Sequence, residues 1–356
     1  MELRDFRNHA ETRLDDLPEG LVTVVGPNGE GKTNLLEGIG FLFFLQSGRA
    51  SSTEPIVRRD AGGPAYARGE VEAEGGRFLI EVEIPGRGAN RVQLNRSAVR
   101  RKRDLRRQVR AVAFAPDDLT IVIGDPSKRR DFMDDAIRTL WPLKESAITA
   151  YDKVLRQRNR LLKEWEGRGA PDGLEAWDAE LVETGCALVR LRRQAVEALA
   201  PAASEDYANL AGYALDCTYA PNVGDEPLED AFAARLAERR NDEIVRRTTL
   251  VGPHRDDLAL AVRDLAARSF ASHGEAWAAA LCARLGLASA VAGETQDRPV
   301  LLLDDPFSAL DPARQRRVAD GLETRGQVFV TVADDAHVPT RSARVLEVSA
   351  GAVSAR

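Results

Sequence analysis

Residues 26–33 read Gly26-Pro27-Asn28-Gly29-Glu30-Gly31-Lys32-Thr33. This is the G-x-x-x-x-G-K-[ST] spacing of a phosphate-binding loop. The glycines let successive backbone N–H groups turn toward an anion. Lys32 is a movable cation for outer phosphates, and the Thr33 hydroxyl suits Mg²⁺. Only six of the 50 basic residues are Lys (32, 102, 128, 144, 153 and 163). Position 32 keeps a compact ammonium in a chain that otherwise uses Arg. A second cluster is Val300–Leu303, an apolar run closed by Asp304-Asp305-Pro306. Asp304 is placed to hold the metal shell, and Asp305 to orient or deprotonate an attacking water. In the third stretch, Ser272-His273-Gly274-Glu275 opens a helix rich in Ala and Leu. Free N–H groups at such a helix start attract anions. One copy has no second phosphate for it, so the expected solution is two-fold: each Ser272 segment covers the nucleotide on the other copy's loop. The plainer readings are a Gly-rich turn, an Asp-Pro turn closing a strand, and a simple N-cap.

The elements that must position these residues follow from hydrophobic patterning. Leu21–Val25 reads as a buried parallel strand and Asn34–Leu45 as the helix after the loop. Gln46–Pro64 reads as an exposed loop. Ala67–Glu74, Arg77–Ile84 and Arg91–Leu94 read as an antiparallel meander beside the nucleotide strand. Val109–Phe114 is a strand, and Ser127 is the expected cap of a helix to about Thr139. Helices are expected at Lys144–Glu164, Leu174–Ala200, Leu228–Arg239, Gly274–Leu285 and Pro312–Glu323. Strands are expected at Leu258–Val262, Val300–Leu303, Val328–Val332 and Ala343–Val348. The strand ending in Asp304 is expected beside the phosphate-loop strand. These elements predict a head domain made from residues 1–125 and 251–356, with a helical domain, 126–250, inserted.

Hydrophobic content of 44% and charged content of 30% fit a globular chain. The polar start Met1-Glu2-Leu3-Arg4-Asp5 does not read as a signal peptide. No apolar stretch is read as membrane-spanning, the longest being near Phe41–Leu45. The scattered Cys186, Cys217 and Cys282 suggest a reducing cytoplasm and no zinc site. With a net charge of −6, any nucleic-acid site must be a local patch. Arg96–Arg110 has eight basic residues and one acid, and Lys128-Arg129-Arg130 sits in a helix's first turn; both are candidates for phosphate contact. The Arg96–Arg110 run contains no aromatic residue, so base stacking is not implied.

Together these stretches resemble the ATPase heads of the ABC/SMC group and, within it, the RecF family of bacterial recombinational repair proteins. GPNGEGKT looks like the Walker A motif, LLLDDP the Walker B, ASHGE the signature and SALD the D-loop. Phe114–Asp134, Leu250–Leu258 and the N-terminal LRDFRNH are similar to narrower RecF patterns, so the resemblance covers essentially the whole chain. It implies an α/β ABC-type P-loop head, a mixed sheet with an antiparallel meander, carrying an inserted helical domain. ATP and Mg²⁺ would be the cofactors. Residues 26–33 would bind nucleotide together with Ser272, Gly274 and Asp311. Thr33 and Asp304 would hold the metal, and Lys32, Asp304 and Asp305 would carry slow, DNA-dependent hydrolysis. An ATP-dependent homodimer would close on double-stranded DNA near gaps, and act with RecR and RecO in recombinase loading. The chain departs from the wider group at His273 and Glu275, and at Asp305, where Glu is usual. Ala333-Asp334-Asp335 stands where the switch His is expected, with His337 slightly later. No Q-loop glutamine is assigned; Gln46 lies close to the loop helix. A transporter ATPase module is the alternative function, and a small-molecule kinase a more distant one.

Overall fold

A computed structural model of the chain describes residues 1–50, 52–167, 169–224 and 227–356. Ser51, in the expected loop Gln46–Pro64, and Arg168, Asp225 and Glu226, in the expected insertion, lie outside the described residues. The chain opens with a hairpin, β1 (Glu2–Phe6) and β2 (His9–Arg13), then β3 (Gly20–Val25). Helix α1 (Lys32–Phe44) starts two residues earlier than expected, because Lys32 and Thr33 already form its first turn. Next are β4 (Ala65–Ala73), β5 (Gly76–Ile84), β6 (Arg91–Leu94) and β7 (Ser97–Ala98). They lead to α2 (Lys102–Arg106), β8 (Ala111–Phe114) and α3 (Leu119–Ile123). Helices α4 (Pro126–Leu140), α5 (Ser146–Glu164) and α6 (Leu174–Ala211), strand β9 (Leu215–Ala220) and α7 (Leu228–Arg246) follow. The chain returns through β10 (Asp257–Val262), β11 (Leu265–Ala266), α8 (Ala267–Phe270) and α9 (His273–Thr295). It closes with β12 (Val300–Leu303), α10 (Pro312–Leu322), β13 (Gln327–Val332), β14 (Arg344–Ser349) and β15 (Ala352–Ala355).

Strand β3 is central in a sheet ordered β15-β14-β3-β13-β12-β8, parallel except for the β14–β15 pair. The expected adjacency of the Asp304 strand and the loop strand is therefore wrong. β13 lies between them, pairing Gly20–Val25 with Gln327–Val332 on one side and β12 on the other. The meander is likewise not beside β3. It forms a separate antiparallel sheet, β2-β1-β4-β5-β6-β7. The reason lies in α1, whose Leu35, Leu36, Ile39, Phe41, Leu42 and Phe43 are all buried. A helix apolar on more than one side must be covered on more than one side. Val22, Val24 and Phe329 of the parallel sheet and Ile80, Val82 and Ile84 of the antiparallel one share its core.

Two further differences come from long-range packing. Strand β9 pairs antiparallel with β10, residue 215 opposite 262 through 220 opposite 257; half its residues are polar, which hid it in the sequence. Helix α6 continues past Pro201 to Ala211. An interior Pro costs about 3 kcal/mol in isolation, but here α6 lies tightly on α9. A Cβ on Gly286 would stand 2.6 Å from Leu199 O. Helix α9 also runs ten residues beyond the expected Leu285. By length and composition it is apolar enough to cross a membrane, which corrects the reading that no such stretch exists; its apolar window is 72% buried within the fold. Arg284 within α9 meets Asp118 at 2.8 Å and Asp135 at 2.7 Å.

The Gly252–Asp257 turn ties the helices to the sheets. Gly252 has φ +138, and a Cβ there would sit 2.5 Å from the Tyr151 hydroxyl. Asp256 is fully buried. It accepts from Asn222 N at 2.7 Å, from Arg192 at 3.3 Å and from the Tyr219 hydroxyl. Arg192 also donates to Asp134 at 2.8 Å and Pro253 O at 2.7 Å. His254 bridges Tyr151 OH at 2.6 Å and Thr249 O at 3.1 Å. The paired arginines that looked free are spent here. Arg129 forks onto Asp257 at 2.5 and 2.9 Å, and Arg130 donates to Asp256 O at 2.9 Å. The cap of α4 is Asp125, not Ser127. Arg192→Met should destabilise the fold by about 3–5 kcal/mol, since it leaves the Asp256 carboxylate buried without its cation. A urea denaturation midpoint at neutral pH tests this; an unchanged midpoint would show that Asp256 is held adequately by its other partners.

Candidate nucleotide site

The loop between β3 and α1 is held from outside by the N-terminal hairpin. Asn8 Nδ2 donates to Glu30 O at 2.9 Å and accepts, through Oδ1, from Asn34 Nδ2 at 2.9 Å. Buried His9 places Nε2 3.1 Å from Gly31 O and Nδ1 2.8 Å from Gly351 O. Gly31 has φ +117, and a Cβ there would stand 2.5 Å from Asn8 Nδ2, so only glycine fits. Arg7 forks onto Glu37 of α1 at 2.8 and 2.9 Å. These contacts explain the LRDFRNH stretch, which the sequence flagged only as a resemblance.

Within the loop, Lys32 Nζ donates to Gly26 O at 2.6 Å and Pro27 O at 2.9 Å, with Asn28 Oδ1 at 3.5 Å. Burial lowers its pKa, while Asp304, Asp305 and Glu30 oppose that shift by their charge. A partly desolvated ammonium without a carboxylate hydrogen bond is well suited to receive an anionic ligand. Pro27, Asn28 and Gly29 are exposed along the loop. Glu30 points elsewhere: its carboxylate accepts from Ala350 N at the β14–β15 turn.

Thr33 Oγ1 donates to Asp304 Oδ1 at 3.0 Å, and Thr331 Oγ1 of β13 donates to the same oxygen at 2.7 Å. Thr331 Oγ1 also accepts from Asp305 N at 2.8 Å. Sequence reasoning missed Thr331; the signal was one polar residue inside the Val328–Val332 run. The hydroxyl and carboxylate oxygens of Thr33 and Asp304 are the hard donors that Mg²⁺ takes alongside water and phosphate. Asp305 has φ +49, a left-handed conformation that Asp tolerates better than most residues. Its pKa is raised, chiefly by burial and then by Asp304. Lys32 and His337 pull the other way. His337, slightly later than the expected switch position at Ala333-Asp334-Asp335, is bonded to Asp334 at 2.7 Å.

Ser272, Gly274 and Asp311 form a second group. Among the described residues no hydrogen bond or ion pair joins them to residues 26–33. Ser272 caps α9 by accepting from Glu275 N at 3.3 Å, and Glu275 Oε2 accepts from Ser272 N at 2.8 Å. Glu275 Oε1 accepts from Tyr213 and Arg263, neither of which the sequence singled out. A Cβ on Gly274 would lie 3.1 Å from Ala309 O. Asp311 caps α10, accepting from the N–H groups of Ala313 and Arg314 at 3.0 Å each. Trp277 Nε1 donates to Pro306 O at 2.9 Å and so links the start of α9 to the Asp304-Asp305 turn.

Asn8→Ala should weaken triphosphate binding about tenfold, the effect of one to two lost hydrogen bonds; fluorescent-nucleotide titration measures it, and unchanged affinity would remove the hairpin as a support. Glu275 carries a pH dependence. The Tyr213 hydrogen bond, then those of Ser272, pull its pKa down from 4.5 to about 2. A depressed carboxylate stabilises above its unfolded pKa, and that contribution is lost as pH falls from about 4.5 toward 2. The NMR amide shifts of Ser272 and Glu275 should titrate together with a midpoint near 2. Tyr213→Phe should raise that midpoint; an ordinary carboxylate midpoint in the native chain would refute the arrangement.

Comparison with known proteins agrees with this geometry. The family model described as the RecF/RecN/SMC N terminal domain matches residues 1–351. DNA replication and repair protein RecF of Frankia alni is 41% identical, over 95% of this chain and 94% of its own length. RecF of Cutibacterium acnes is 38% identical, over 95% and 93%. A solved structure of the recombination mediator protein RecF-ATPrS in the RecFOR pathway superposes with a TM-score of 0.88 at 28% identity, covering 99% of this chain and 96% of that one. The chain has the ABC-type head fold and belongs to the RecF family of DNA replication and repair proteins.

Proposed function

We propose that the protein is an ATP-operated DNA clamp: ATP closes a head-to-tail dimer on duplex DNA near single-strand gaps, and slow hydrolysis releases it. The observation that carries this reading is the split site. The phosphate loop, Thr33, Asp304 and Asp305 converge in one place, while among the described residues the Ser272 cap and Asp311 share no hydrogen bond or ion pair with residues 26–33. Half a nucleotide site in each copy is what a two-fold dimer completes. In that reading residues 26–33 cradle the triphosphate, with Glu30 contributing through its place in the loop backbone. Lys32 neutralises the outer phosphates, and Thr33 and Asp304 hold Mg²⁺. Asp305 positions and accepts a proton from the attacking water. Its raised pKa supports that role. Ser272, Gly274 and Asp311 serve the partner's nucleotide. RecR and RecO are the proposed partners, recombinase loading the outcome, DNA-dependent hydrolysis the activity, and the cytoplasm the setting. A head of residues 1–125 and 251–356 with a helical insertion, 126–250, is the proposed domain division; the β9–β10 pairing crosses it. RecF relatives named for DNA replication and repair leave the transporter alternative without support.

Lys32→Met should abolish ATP-driven dimerisation in sedimentation velocity, and Ser272→Arg should abolish it while nucleotide binding persists. The direct test is fluorescence anisotropy of a labelled gapped duplex at fixed salt. Tight binding with ATP and weak binding with ADP is expected; equal binding in both would remove the switch.

A further inference from the structure

The arginine-rich segment before β8 divides into committed and uncommitted side chains. Arg106 pairs with Glu145 at 3.3 Å, Arg110 Nε donates to Thr139 O at 3.0 Å, and Lys102 Nζ donates to Gln46 Oε1 at 2.9 Å. Among the described residues no carboxylate lies within ion-pair distance of Arg101 or Arg103. Arg103 Nε is buried without a hydrogen-bond partner. Arg138 of α4, which no sequence pattern marked, is also without an acid partner among the described residues. Arg101, Arg103 and Arg138, with Lys102 and Arg106, line one open concavity of about 600 Å³ where α2 meets α4 and the start of α5. The two acids on its wall are already engaged, Asp135 by Arg284 at 2.7 Å and Glu145 by Arg106.

Such crowding is costly without a counter-charge. Burial, and then Arg106, lowers the pKa of Lys102. Burial lowers that of Arg106, and Arg138 adds to the effect. The outer face of the antiparallel sheet is built differently: Arg68 faces Glu81 at 3.3 Å and Arg91 faces Glu83 at 2.9 Å. Those two cations are neutralised in place, and Arg4 on the same face stacks 4.2 Å over the Tyr66 ring. In the concavity five cations share a wall with only two carboxylates, both already engaged.

The lining names the ligand's chemistry. It contains only Arg, Lys, Asp, Glu, Gln and Thr. A peptide partner would need an apolar anchor, and none is present. Nor is there an aromatic platform for bases. Guanidinium forks match phosphate oxygens, and several in one groove match a repeating series of them.

We infer that the concavity centred on Arg101, Arg103 and Arg138 holds backbone phosphates of a nucleic-acid duplex. It rests on the DNA-binding part of the proposed function and assigns that binding to a surface. The test is anisotropy of a labelled duplex across a salt series, comparing the native chain with Arg101→Gln/Arg138→Gln and with Arg246→Gln at the end of α7. Losing two phosphate contacts should lower the slope of log affinity against log salt by about two and weaken binding roughly tenfold or more at 0.1 M salt. Arg246→Gln should match the native chain, and fluorescent ATP binding should be unchanged in both. A double variant with the native slope overturns the site. So does an Arg246→Gln variant that weakens binding equally, because the effect would then be net charge. Inorganic tripolyphosphate separates the sources: if the double variant loses tripolyphosphate but keeps duplex affinity, the concavity takes a small polyphosphate and the inference fails. If the native chain itself does not bind duplex, the proposed function falls together with the site; a failed site beside intact native binding leaves that function standing.

Discussion

One carboxylate oxygen sets the terms for the rest of the head. Asp304 Oδ1 accepts hydroxyl protons from Thr33 at 3.0 Å and Thr331 at 2.7 Å. Those three residues stand on α1, just past the end of β12, and on β13, so the contact needs β13 between β3 and β12. Thr331 then accepts the Asp305 N–H at 2.8 Å, which helps hold Asp305 at its positive φ. A single hydroxyl therefore fixes the spacing of two acids for which different tasks are proposed. Strand register, helix start and loop glycines all have to agree for that spacing to arise. The apolar α1 enforces the agreement by filling the gap between two sheets.

Much of this was legible in the sequence because the decisive signals were local. The phosphate loop, the Val300–Leu303 strand and the Ser272 cap each announce themselves within eight residues. What the sequence hid was non-local. Nothing in Leu301 or Val328 says which strand will lie between them. Pro201 signals a helix end, and only the α9 surface lets α6 pass through it. Nothing local ties Asn8 and His9 to the loop; only the fold brings Glu30, Gly31 and Gly351 against them.

The arginines show the same limit in another form. A charge run says nothing about which charges are already satisfied. Arg129 and Arg130 looked free and are bonded to the 256–257 turn. Arg158, fully buried, meets Asp178 at 2.7 Å, Glu243 at 2.6 Å and Thr249 at 2.8 Å. A lysine could not replace that planar fork. Dense use of Arg thus serves structural joints between helices, and only the remainder is available for a ligand. Sorting the two requires the positions of the acids, which come from distant parts of the chain.

The signature helix resolves an apparent contradiction. Glu275 puts a carboxylate at a helix start proposed to meet a phosphate, where a neutral side chain would be expected. A bare anion there would repel the ligand by Coulomb's law. The structure disposes of the charge on both oxygens. Oε2 accepts from Ser272 N at 2.8 Å, closing the cap. Oε1 accepts from Arg263 and Tyr213, and the Arg263 guanidinium lies 4.5 Å over the Tyr213 ring. The formal charge is thereby neutralised by a cation from the β10–β11 turn and oriented by a hydroxyl just beyond α6. Removing that cation would leave the cap formed but electrostatically wrong for its proposed ligand. The departure at position 275 is therefore compensated from 12 and 62 residues away, and the start of α9 answers to the end of α6.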